Sequence, residues 1–91
     1  MYELIFNKRA DEGILRLQKA GDKQALKKIT ALAKELKIHP ETGTGKPERL
    51  KHQSTNRWSR HITEKHRLVY DIFENIVTVE IVHRSNIRTL R

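Results

Sequence analysis

The chain reads as an α+β domain: an N-terminal strand, a two-helix hairpin, then an antiparallel meander of three or four strands. Three observations predict it. Apolar residues recur at helical spacing in the first half of the 91 residues, and alternate at period two from Trp58 to Ile81. Between these halves lies ETGTGKP, residues 41 to 47, a loop by its glycines, threonines and proline. Helices that precede a run of strands segregate to one face of the sheet, which leaves the other face partly open.

Glu3 to Phe6 forms the first strand. Asn7 can cap a helix that carries Ala10, Ile14 and Leu17 on one face. Gly21 ends that helix, and Asp22 caps the next. The second helix has an apolar stripe of Ala25, Leu26, Ile29, Leu32, Ala33 and Leu36, and Pro40 prevents its continuation. After the loop, Trp58, Arg60 and Ile62 alternate with Ser59, His61 and Thr63. In the next strand Leu68, Tyr70 and Ile72 face the core; Glu74-Asn75 is a hairpin turn; Val77, Val79 and Ile81 line the last strand.

A chain of 91 residues holds one compact domain, 1–91, with residues 85–91 expected to fray as a basic tail. The absence of cysteine excludes disulfides, thiolate metal sites and cysteine nucleophiles. MYELIF followed by Lys8 and Arg9 lacks the length and charge order of a signal peptide. No apolar run approaches the roughly 20 residues that span a bilayer, so a cytoplasmic protein is the simplest reading.

Net charge is +8 and the pI is near 10.1, which predicts attraction to polyanions, nucleic acid first. An acidic protein partner fits the same charge. Membrane binding ranks low, because the helical stripes are spent on core-type Ala, Ile and Leu. Residues 46 to 67 concentrate the cations, with seven Lys or Arg against two Glu and three of the five histidines. Cations on adjacent strands repel unless an anion sits among them, and a phosphate backbone is such an anion. Within this window Glu48 stands among Lys46, Arg49 and Lys51. It is either a solvated loop carboxylate or a base in an anion-holding site. Trp58, the sole tryptophan, shares its strand face with Ile62, which favours a packing role over base stacking.

GKPERLKH (Gly45 to His52) followed by WSRHITEKHRLVY (Trp58 to Tyr70) closely resembles the YoeB/Txe family of bacterial toxins, in the RelE superfamily. The resemblance spans nearly the whole chain and implies a RelE-like microbial ribonuclease fold. It also implies a ribosome-dependent mRNA endonuclease, cutting in the ribosomal A site and stopping translation. An acidic antitoxin of YefM/Phd type is the implied partner, with operator DNA met only through the toxin–antitoxin complex. A homodimer is an open arrangement.

RNA carries its own nucleophile, the 2′-hydroxyl. Cleavage therefore needs a base, a phosphate clamp and an acid for the leaving oxygen, and requires no metal or cofactor. By the resemblance, Glu48 is the base and Arg67 the phosphate clamp, while Lys51 lies close by and Arg60 grips the RNA backbone. Arg49, Arg57 and His61 complete the implied RNA-binding set. Two features depart from the family pattern. His61 stands where a second basic residue commonly follows W-S, and the chain lacks the family's C-terminal histidine–tyrosine pair. His83 is the nearest candidate for that histidine, falling two residues early counted without gaps from Tyr70. A catalytically impaired module of the same fold, or a gyrase-directed toxin of ParE type, are the rival readings.

Overall fold

The computed structural model describes residues 1–84; the tail expected at 85–91 lies outside the described residues. The elements in order are β1 (Glu3–Phe6), α1 (Lys8–Lys19), α2 (Lys23–Leu36), β2 (Glu48–Arg49), β3 (Asn56–His61), β4 (His66–Phe73) and β5 (Ile76–His83). The expected α+β order holds, and the meander has four strands because the two-residue β2 joins it.

Both helices start where a side chain can satisfy an orphan backbone N–H. Asn7 Oδ1 accepts from the Ala10 amide at 2.9 Å, and Asp22 Oδ1 from the Ala25 amide at 3.1 Å. The helical hairpin returns the chain across one face of the sheet. Leu17 of α1 and Ala25, Ile29, Leu32 and Leu36 of α2 pack there on Leu68, Tyr70, Val77, Val79 and Ile81. Each of these large strand residues is at most 5% exposed. Burial of one such aliphatic side chain stabilises by about 1.5–3 kcal/mol, so this face holds the fold together.

The strand order is β1-β5-β4-β3-β2, with β1 parallel to β5 and every other pair antiparallel. Register decides which residues share a face, because side chains alternate along a strand. Glu48 pairs with Ser59, Ser59 with Val69, and Val69 with Glu80. One row further along, His61 pairs with Arg67 and Arg67 with Val82. In the other direction, Arg57 pairs with Asp71 and Asp71 with Thr78. These rows make the other face, which neither α1 nor α2 covers among the described residues. Its only buried apolar cluster among the described residues is Leu50, Val69 and Val82. The Glu74-Asn75 turn joins β4 to β5 as expected, with Phe73 opposite Ile76 and Glu74 at φ 55°.

Candidate active site

The cationic window divides between the two faces of the sheet. On the open face, His61 and Arg67 are direct partners on β3 and β4. The amide of the adjacent Ile62 donates to His66 O at 3.0 Å, so Ile62–His66 is the hydrogen-bonded pair. His61–Arg67 is then the non-hydrogen-bonded kind, in which side chains stand closest. Glu48 sits on β2 one row away, diagonal to His61. β2 and β4 lie two strand spacings apart, about 10 Å, which leaves room between the Glu48 and Arg67 side chains for a ribose–phosphate link.

Arg67 is held from one end. Its Nη1 donates to Thr63 O at 2.7 Å, His66 O at 3.0 Å and Glu64 O at 3.2 Å. Among the described residues, its Nε and Nη2 make no hydrogen bond, so two parallel donors remain for an anion. A planar guanidinium offers these to two phosphate oxygens at once. Burial, then the nearby Arg84 cation, lowers the Arg67 pKa, while Glu64 opposes the shift. An anion placed there would relieve that repulsion.

Glu48 is exposed, and with Arg49, Lys51 and His52 it lines a shallow cleft. Left-handed residues lie on either side of it, Lys46 at φ 53° and His52 at φ 61°. Non-glycine residues in that region cost of order 1–3 kcal/mol each and cluster at functional sites. His61 is half-buried. Its pKa is lowered by burial first, then by Arg67 and Lys46, with Glu48 pulling the other way. The Arg67 guanidinium and the Glu48 carboxylate therefore both act on the His61 imidazole.

Several expectations need correction. Arg60 does not grip RNA: it is fully buried. It lies between Trp58 and Ile62 on the inward parity of β3, beneath the 39–45 loop. Its Nε donates to Tyr70 Oη at 3.0 Å and its Nη1 to Glu35 Oε1 at 2.9 Å and Thr44 O at 3.2 Å. Its Nη2 donates to His39 O at 3.0 Å and Thr42 O at 2.7 Å. Tyr70 Oη in turn donates to Pro40 O at 2.7 Å. Arg60 is thus the pin that holds the loop leading into β2.

His83 also fails to join the site. It pairs with His66 at the end of β5, with ring centroids 5.9 Å apart and planes at 79°. Val82 points to the open face, so His83 points to the helix side, where Gly13, Arg16 and Leu17 of α1 line a cavity with it. The two-residue shift considered from the sequence preserves parity, and that parity is the wrong one for reaching Arg67.

Arg57 is on the open face but is committed. Its Nε and Nη2 donate to the two oxygens of Asp71, each at 2.8 Å, and Glu80 lies 3.8 Å from Nη1. Arg49 pairs with Trp58, on the opposite parity to Glu48, and its Nε donates to Asn56 Oδ1 at 3.2 Å. Lys51 is exposed at the cleft beside Glu48. The sequence reading missed Glu35 and Tyr70 as partners of Arg60, and Lys46 as a neighbour of His61. Parity was the available signal for the first: with Trp58 and Ile62 inward, Arg60 had to be inward too.

A two-helix layer on one face of a mixed five-stranded sheet is the RelE-type α+β fold, shared with solved YoeB and YafQ toxins. Residues 6–84 match the family described as the YoeB-like toxin of bacterial type II toxin–antitoxin systems, and the chain belongs to that family. It is 40% identical over 77 residues to toxin YoeB of Escherichia coli strain K12, covering 85% of this chain and 90% of that one. The YoeB dimer from Staphylococcus aureus superposes with a TM-score of 0.75 at 35% identity, covering 87% of this chain and 91% of its own. A heterotetrameric YoeB–YefM complex from Staphylococcus aureus gives 0.73 at 34% identity, over 88% of this chain and 92% of that one. Among the described residues no helix is long and apolar enough to cross a membrane.

Proposed function

We propose that this chain is a ribosome-dependent mRNA endonuclease that cuts message in the ribosomal A site and so arrests translation. The observation that carries the reading is the common face of Glu48 and Arg67. Glu48, exposed among cations, takes the proton of the 2′-hydroxyl. Arg67 offers Nε and Nη2 to the phosphate while Nη1 stays tied to the β3–β4 turn. The negative charge that develops on the phosphate oxygens falls beside a guanidinium that needs no rearrangement to meet it. Lys46 and Lys51 flank Glu48 and draw the message toward it, in a chain of net charge +8.

The same charge suits an acidic antitoxin, and the YefM partner of the Staphylococcus aureus relative supports one of that type here. An antitoxin segment laid over the open face would cover Glu48 and Arg67 together. The dimer of the Staphylococcus aureus relative supports a homodimer as the free form, and the site of action is the cytoplasm.

The test is primer extension on a message translated in the presence of the protein, beside Glu48→Gln and Arg67→Ala. Wild type should generate new 5′ ends, and each variant should reduce them by roughly 10²-fold or more. Arrested translation with intact message would instead indicate a binding module, and arrested replication a gyrase poison.

A further inference from the structure

Glu48 and Arg67 leave one task of the proposed reaction unassigned, the delivery of a proton to the departing 5′-oxygen. His83 stands on the helix-covered side, and His66 beside it faces the same way. His39 lies on the loop over Arg60, to which it gives its carbonyl. His52 shares the Glu48 cleft but lies past Leu50, toward the end of the sheet away from the His61–Arg67 row. His61 alone among the described histidines shares the face and the row of Arg67.

We infer that His61 is the general acid of this chain, protonating the 5′-oxygen of the phosphate held by Arg67. The inference rests on the proposed nuclease reading and extends it. As Glu48 removes the 2′-proton, the 2′-oxygen forms a bond to phosphorus and the bond from phosphorus to the 5′-oxygen breaks. The imidazolium proton of His61 passes to that oxygen. The products are a 2′,3′-cyclic phosphate and a 5′-hydroxyl, with Glu48 protonated and His61 neutral; exchange with water resets both.

The surroundings suit the role. His61 stands directly opposite Arg67 in a close cross-strand pair, with Glu48 on its diagonal. Its amide donates to Gly45 O at 2.7 Å, which fixes the backbone against the loop that Arg60 pins from the other side. The groups that face it are Arg67 on β4, Lys46 on the loop, and Glu48 on β2. Burial and the two cations make the imidazolium a readier proton donor, and Glu48 opposes them. A bound phosphodiester adds a second negative charge, which favours the protonated form when substrate is present.

The experiment compares two synthetic messages on programmed ribosomes, one normal and one with sulfur in place of the scissile 5′-bridging oxygen. A thiolate leaves without protonation, so the sulfur message needs no acid. Wild type should cut both. His61→Asn and His61→Arg should lose roughly 10²–10⁴-fold on the normal message yet fall within a few-fold of wild type on the sulfur one. Arginine keeps the charge but cannot give up its proton, so its failure separates acid catalysis from phosphate attraction. On the normal message the wild-type rate should fall as pH rises past the His61 pKa, and that alkaline limb should vanish on the sulfur message. Equal losses on both messages would make His61 a positioning residue and overturn the inference, as would an unchanged rate on the normal message. Wild type that cuts neither message would remove the nuclease reading itself, and this inference with it.

Discussion

Arg60 and Arg67 come from the same short cationic window, yet they occupy opposite sides of one sheet and have opposite fates. Arg60 is fully buried, with every guanidinium nitrogen tied to Tyr70, Glu35 or a loop carbonyl. Arg67 keeps Nε and Nη2 without a hydrogen bond among the described residues, on the face opposite α1 and α2. The difference teaches that a cation's role is set by strand parity and by what lies above it, and that local charge density alone is a poor guide. A buried guanidinium organises backbone; a half-exposed one held at a single end is ready for a ligand.

The largest effect on this comparison should come from exchanging the fates. Arg67→Ala should cut message cleavage by roughly 10²–10³-fold while leaving stability within about 1 kcal/mol, since its lost contacts are three partly exposed carbonyls at the β3–β4 turn. Cleavage mapping and urea denaturation of the same preparation check both halves. An Arg67→Ala protein that unfolds would erase the distinction.

Next in size is Arg60→Ala, expected to destabilise by about 3–5 kcal/mol, because it strands the Tyr70 hydroxyl and several loop carbonyls. Thermal melting reads it out, each kcal/mol moving a domain of this size by roughly 4–8 °C. A shift of only a degree or two would show that the 39–45 loop holds itself.

Gly43→Ala probes the same pin from the loop side. Gly43 adopts φ +123°, and an added Cβ would collide with Glu35 Oε1 and come within 3.1 Å of Arg60 Nη1. A loss of about 1–3 kcal/mol is expected, and wild-type stability would mean the loop has room to shift. Tyr70→Phe should cost about 1–3 kcal/mol, by leaving Pro40 O without its donor and Arg60 Nε without its acceptor.

The smallest effect concerns Arg57, the cation neutralised on the open face. Burial raises the Asp71 pKa, but hydrogen bonds from Arg57 and Thr55 outweigh it, so the folded value is depressed. The stabilisation is therefore present above the ordinary aspartate pKa of about 3.9 and disappears as pH falls through the lower folded value. Denaturation as a function of pH should show that acid limb in wild type and a weaker one in Asp71→Asn. Identical limbs would mean that other carboxylates govern the acid transition.

Much of the fold is legible in residue order alone. Asn7 and Asp22 announce the helix starts, because each can accept from an amide three residues on. The stripe from Ala25 to Leu36 declares the covered side, and Leu68 and Tyr70 declare which strand faces meet it. Glu48 and Arg67 are legible as a pair through the two sequence blocks that carry the family resemblance. Arg60 was misassigned because its type and its neighbours suggested phosphate, although its alternation with Trp58 and Ile62 already pointed inward. His83 is a candidate by its count from Tyr70, and a count does not say which face of β5 lies with Arg67.

By itself, then, residue order determined both helices and their caps, the strands other than β2, the inward residues of β4 and β5, and the family, since these follow from nearest-neighbour sterics, period and the two sequence blocks. Only the tertiary structure decided that β1 runs parallel beside β5, that the loop before β2 folds its carbonyls onto Arg60, and that His61 rather than His83 stands with Glu48 and Arg67. These outcomes depend on contacts between segments far apart in the chain: Arg60 meets Glu35 across 25 residues and Tyr70 meets Pro40 across 30. No local pattern encodes such a meeting, because a backbone carbonyl becomes the partner of a buried charge only once the whole sheet has brought it there.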